Sequence, residues 1–219
     1  MDMKKAMEQL QKPFPAADIE WRVQRTLKTT KGPKAVVLAY VTNRAIMNRL
    51  DEVFGFGNWK NEYKEWRDKG VLCGISVKID GEWVTKWDGA EETQVEATKG
   101  GFSGSMKRAA VQLGIGRYLY NLTENWVDIK DRGEHYINAK VKTNGQDEWI
   151  KGYWDTPLLP DWALPQLTVD DVLSEWISVG GTEEQFEEYI QKQFQITSKD
   201  LKQNHLTGLK KVIEKKKAS

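Results

Sequence analysis

One cysteine, Cys73, and two histidines, His135 and His205, are all that 219 residues contain of these types. That excludes an internal disulfide framework, and it leaves no ligand cluster spaced to hold structural zinc. Long apolar runs are missing too: the longest, AVVLAYV at 35–41, falls far short of the ~20 residues a bilayer span needs. The opening MDMKKAMEQL lacks the apolar stretch of a secretory signal. A chain kept in a reducing compartment, the cytoplasm, with no membrane contact, is the expectation. Nor is there a large charge of one sign. The formal net charge is +1, so the general adhesiveness of a very basic protein is excluded as well.

What charge there is lies unevenly. Residues 19–49 hold seven basic side chains, Arg22, Arg25, Lys28, Lys31, Lys34, Arg44 and Arg49, against the single acid Glu20, while 183–188 hold four acids and no base. A basic stretch on a nearly neutral chain suggests one face that binds a polyanion, or else an ordinary solvated face.

The pattern along the chain predicts an α+β fold. In VLCGISVKIDGEWVTKW, Val71, Cys73, Ile75, Val77 and Ile79 alternate onto one face, Asp80-Gly81 carries a type I′ turn signal, and Trp83, Thr85 and Trp87 follow. With NWKNEYKEW upstream, and Asp68-Lys69-Gly70 as the connecting loop, this makes an antiparallel β-meander over about 59–90. Two helices flank it. Thr42 caps the first, on which Ile46, Met47, Leu50, Val53 and Phe54 fall at helical spacing away from Arg44. On the second, Met106, Ala109, Ala110 and Leu113 form the buried stripe, and Lys107 and Arg108 are expected to point away from it. Residues 135–154 predict another hairpin about Asn144-Gly145. Three prolines in TPLLPDWALPQ mark a linker at 157–166 between a core domain, 1–156, and a small helical segment, 167–219. That segment is expected to form three helices near 169–179, 183–194 and 199–214, the middle one opened by a capping box from Thr182 to Gln185.

The stretch KGGFSGSMKRAAVQLGIGRYLY, 99–120, packs five glycines and four basic residues together, the composition of a phosphate-handling site. It is not a nucleotide P-loop, because no glycine immediately precedes Lys107 and no hydroxyl residue follows it. It is not a dinucleotide fingerprint either, since GIGRYL lacks the third glycine and follows a helix instead of a strand. What remains is the pair Lys107-Arg108 with Arg117, Tyr118 and Tyr120 close by: cations beside aromatic groups, the ingredients of a groove for single-stranded nucleic acid. Against this, the two tyrosines also suit core positions, and the two cations suit a solvated helix face.

VLAYVTNRAIMNRLDEVFGFGNW, followed about forty residues later by GSMKRAAVQLGIGRYLY, resembles the Rad-fifty-two-like single-strand annealing proteins of DNA recombination, and most closely their phage-encoded Sak branch. The resemblance covers roughly residues 5–130. It implies a β-β-β-α core, assembly into a homo-oligomeric ring, and single-stranded DNA held in a positively charged groove on the ring's outside. It also implies annealing of complementary strands with no ATP or other cofactor. Carried over by position, Arg44 falls where the family has its groove arginine and Lys107-Arg108 match its basic pair, with Lys99 a looser match; Arg117 joins them as a fifth candidate contact. FGFGNW departs from the family's order in exchanging Gly57 and Asn58, and recombinase loading is not implied.

Two other readings compete. Glu62-Tyr63-Lys64 on a strand, with Asp51 upstream and Asp88, Glu91 and Glu92 downstream, has the form of a metal-dependent nuclease site, although such a triplet is commonly just a strand's wet face. A passive strand-coating or adaptor protein would need no annealing activity, and the C-terminal helices, with their acidic middle, are expected to meet a host single-strand binding or recombination protein.

Overall fold

The computed structural model describes residues 2–66, 70–91, 97–143 and 146–217, with the backbone alone for 97–99 and 143. It divides into two compact units, Met1–Leu164 and Pro165–Ser219. This boundary falls within the linker expected at 157–166, and Leu159 packs on the core of the first unit.

In the first unit the order is α1 (Met3–Gln11), β1 (Ile19–Thr29), β2 (Gly32–Val41), α2 (Asn43–Phe54), β3 (Trp59–Trp66), β4 (Gly70–Ile79), β5 (Glu82–Glu91), α3 (Ala97–Gln112), β6 (Asn125–Asp128), β7 (His135–Thr143) and β8 (Gln146–Trp154). The expected meander is the sheet β3-β4-β5, antiparallel throughout. Asp80 and Gly81 both take positive φ, 48° and 94°, which is the type I′ geometry that matches the twist of the two strands. Of the β3–β4 loop, Asp68 and Lys69 lie outside the described residues, as do Asn144 and Gly145 of the second hairpin.

The meander's inner face carries the core. Cys73, Ile75 and Val77 from β4 pack with Ile46, Leu50 and Phe54 of α2 and Met106, Ala109 and Ala110 of α3. Thr42 caps α2 as expected, its hydroxyl accepting from the Ala45 N–H at 3.3 Å. Gly104 lets α3 press close to β5: a Cβ there would stand 3.1 Å from that of Ala90.

A second sheet, in the order β1-β2-β6, was not anticipated. β1 and β2 form a long hairpin whose register shifts between Val23 and Arg25. The β7-β8 hairpin packs on it through Ala35, Val37, Ile137, Ile150 and Trp154. Runs such as VQRTLKT hide the strand because their polar residues are too frequent for clean alternation.

The second unit has its own core. Val172 and Trp176 of α4 (Val169–Ser178), Phe186 and Ile190 of α5 (Glu183–Phe194), and Leu206, Leu209 and Ile213 of α6 (Gln203–Lys217) bury one another. The capping box at Thr182–Gln185 is present, and Thr168–Asp171 forms a second one on α4. The last helix starts at Gln203, later than expected, because Ser198–Asp200 closes as a separate 3-10 turn.

Candidate nucleic-acid interface

α3 packs on the meander, and Glu20 at the start of β1 reaches its Lys107 from another side. This overturns the outward placement of Lys107. Its side chain is only 9% exposed, and its ammonium pairs with the Glu20 carboxylate on β1. Burial lowers the Lys107 pKa below the ordinary lysine value, and the Glu20 hydrogen bond and charge offset only part of that. A cation at this depth needs its partner, because an unpaired buried charge is costly.

Arg108, one residue on, does face solvent. Its Nε donates to Asp88 Oδ1 on β5 at 2.9 Å, and Gln112 donates to Asp88 Oδ2 at 3.2 Å. Burial raises the Asp88 pKa, but the hydrogen bonds from Gln112, the Gly89 N–H and Arg108 outweigh it and hold the carboxyl below the ordinary aspartate range.

Lys107 and Arg108 line one cleft of about 250 Å³, together with Arg22, Tyr40 and Tyr120. Three cations and two phenols therefore meet where α3 faces the edge of the β1-β2 hairpin. Arg22 shares Glu20, its Nε donating at 2.9 Å. Burial raises the Tyr40 pKa above the ordinary tyrosine value. The two tyrosines of GRYLY part company. Tyr118 is half-buried and accepts from the Phe14 N–H at 2.9 Å, whereas Tyr120 is 67% exposed at the cleft. Tyr120 was legible in the sequence as an aromatic group beside Lys107-Arg108; Arg22 and Tyr40 complete the cleft by tertiary placement, and only the density of basic residues after Glu20 signalled Arg22.

The other candidates lie elsewhere. Arg44 is exposed on the first turn of α2, pairs with no acid among the described residues, and is not part of the cleft wall. Arg117 caps the end of α3, donating to the Val111 carbonyl at 2.9 and 2.7 Å and to the Gln112 carbonyl at 3.0 Å. Lys99 is in the first turn of α3, and its side chain lies outside the described residues.

The basic stretch 19–49 is largely neutralised in space, contrary to its appearance in sequence. Arg25 pairs with Glu124 at 3.0 Å, Lys28 with Glu148 at 2.6 Å and Lys34 with Asp128 at 2.8 Å, all acids from distant segments. Arg49 is structural: it stacks over the Phe14 ring at 4.0 Å and donates to the carbonyls of Gln9 and Lys12 at 2.8 and 2.9 Å, closing the end of α1.

Strand alternation separates the acids of the nuclease reading. Glu62 is opposite Gly74 and Trp87 on the outer face of the meander, while Asp88 is opposite Cys73 on the inner one. Glu62 pairs with Lys60 at 3.1 Å, and Asp51 accepts from the Trp59 indole N–H at 2.7 Å. Glu92 lies outside the described residues, and no group of acids, histidines or cysteine among the described residues is placed to hold a metal.

The model of the Rad52/22 family of double-strand break repair proteins matches residues 2–137, from α1 into β7. The chain belongs to that family. The match takes in both sheets' main hairpins, α2, α3 and the whole cleft, and leaves the second unit outside. Two relatives are similar over three quarters of this chain. The single-stranded DNA-binding protein DdrA of Deinococcus radiodurans is 32% identical over 174 residues, covering 75% of this chain and 70% of its own length. DdrA of Deinococcus deserti is 28% identical over 173 residues, with 75% and 73% covered. Among the described residues no helix is long and apolar enough to cross a membrane.

Proposed function

We propose that this protein binds single-stranded DNA by its phosphates and anneals complementary strands in recombination and repair, without ATP. The observation that carries this reading is the cleft in which Arg22, Lys107 and Arg108 converge beside Tyr40 and Tyr120, in a chain whose family repairs double-strand breaks and whose relatives are named for single-strand binding. Cations that hold a backbone leave base edges free, and phosphate contacts position a strand without reading its sequence. Pairing itself supplies the driving force once strands meet, so the reading needs no catalytic group.

Arg44, Lys99 and Arg117 extend the proposed contact beyond the cleft. In this reading the strand also competes with Glu20 and Asp88 for Lys107 and Arg108, which are held in place until DNA arrives. Assembly into a ring, membership in the phage-encoded Sak branch and action in a bacterial host's cytoplasm belong to the same proposal. So does the docking of a host single-strand binding or recombination protein on the C-terminal unit.

Mixing labelled complementary oligonucleotides with the protein, with and without ATP and Mg²⁺, tests it. Accelerated pairing in the absence of both is the expected result. Binding without acceleration would reduce the protein to a strand coat, and Mg²⁺-dependent cleavage lost on Glu62→Gln would restore the nuclease.

A further inference from the structure

The outer face of the meander, turned away from α2 and α3, is built unlike an ordinary wet sheet face. Trp83 and Trp87 both project from it, 44% and 38% exposed. They are four residues apart on β5 and so about 13 Å apart along the strand. Each ring already meets a cation from β3: Lys60 Nζ lies 5.3 Å from the Trp83 ring centre and Lys64 Nζ 4.5 Å from that of Trp87. Between them β4 offers only Gly74 and Ser76, with Lys78 opposite Trp83. The Trp87 indole lies over Gly74, where a Cβ would come within 2.6 Å of the ring, and Ser76 bonds Thr85 hydroxyl to hydroxyl at 2.8 Å. The absence of a side chain at Gly74 lets the indole lie down across the sheet.

We infer that this face is a second contact surface for single-stranded nucleic acid, one that takes bases by stacking on Trp83 and Trp87 while Lys60, Lys64 and Lys78 meet the adjoining phosphates. Flat aromatic rings flanked by mobile cations accept any base, because every base offers a π-face. The charge of the face favours this occupant over a second copy of the chain. By strand alternation the face carries three lysines against two acids, Glu62 and, at the far end of β5, Glu91, and a protein partner would have to bury those ammonium groups at the centre of an interface, where lysine is depleted. The inference rests on the proposal that the protein handles single strands, and it adds a place for the second strand. The cleft grips a backbone, while the platform holds bases by their faces and leaves their pairing edges open.

The test uses the full chain and an oligothymidylate containing iododeoxyuridine, which is photocrosslinked and mapped by peptide, alongside affinity measured over a range of salt. Crosslinks at Trp83 or Trp87 are expected. Trp83→Ala with Trp87→Ala should weaken binding about tenfold for each ring lost while leaving the salt slope unchanged, because stacking releases no counterions. Trp83→Phe with Trp87→Phe should restore most of the affinity, which a purely structural role would not require. Crosslinks confined to the cleft, an unchanged affinity in the alanine variant, or a changed oligomeric state in that variant would each overturn the platform. None of these outcomes touches the cleft reading, which fails separately if the wild-type chain binds no oligonucleotide or if Lys107 and Arg108 variants keep the full salt slope.

Discussion

Lys107 on α3 and Glu20 on β1, eighty-seven residues apart in the chain, form an ion pair, and Lys107 is also part of the cleft wall. Glu20 is accordingly a competitor of DNA as well as a structural partner. Glu20→Gln should lower stability by about 2 kcal/mol in urea titrations, less than the ~3–5 kcal/mol typical of breaking a fully buried pair, because Glu20 keeps some solvent. The same variant should bind single-stranded DNA more tightly, since Lys107 is released. A variant that loses both stability and affinity would show that the pair shapes the cleft and does not compete with its ligand.

Cations that touch phosphate and cations that hold the fold separate by salt dependence. Arg44→Ala and Arg108→Ala should leave stability within about 0.5 kcal/mol, as for other exposed positions. Each should flatten the slope of log affinity against log salt by about 0.7. An unchanged slope for both would remove them from the contact.

Arg49→Ala should behave in the opposite way. It removes the donor that closes α1 and the cation stacked on Phe14, so thermal unfolding should show a loss of about 1–3 kcal/mol with the salt slope intact. Arg117→Ala is the sharper case, because it caps α3 and is also a proposed contact. A loss of about 1 kcal/mol with no change of slope would assign it to the helix end alone.

Burial pushes the Cys73 thiol up to about 11 from the usual 9.0. The folded state therefore keeps a proton that the unfolded chain has already lost. Its contribution to stability is complete below pH 9 and is lost as pH rises through about 11. Denaturant midpoints should fall across that window in the wild type and fall less in Cys73→Ala, and iodoacetamide should label the native protein far more slowly than the unfolded one at pH 8.5.

Each unit has its own buried cluster, so a chain ending at Gln166 should remain folded, bind single strands and accelerate pairing. Far-UV circular dichroism and the annealing assay check this. Loss of annealing with the fold retained would place a DNA contact in the second unit, whose last helix ends in Lys215, Lys216 and Lys217.

Local order was legible wherever one side chain's chemistry settles the matter. Alternation placed β4 and β5, Asp80-Gly81 set their turn, Thr42 and Thr182 set helix starts, and the two blocks around Arg44 and Lys107 pointed to the family. Each rests on contacts between near neighbours, for which spacing along the chain is also spacing in space. The site was less legible. Lys107 and Arg108 were found as a pair, but a helix stripe of Met106, Ala109 and Ala110 says only which face is apolar, not whether another layer covers the opposite side. The start of β1 reaches that side through Glu20, and that turns Lys107 from a solvated cation into a buried partner of Glu20. The β1-β2 hairpin brings Arg22 and Tyr40 to the cleft, where Tyr120 meets them from the turn after α3, while Glu124, Asp128 of β6 and Glu148 of β8 reach cations that looked unopposed. Charge balance and burial depend on pairs far apart in the chain, so the sequence alone determined the meander, its two flanking helices, the second hairpin, the C-terminal helices and the family, and only the tertiary structure decided the β1-β2-β6 sheet and which cations remain free to meet a phosphate.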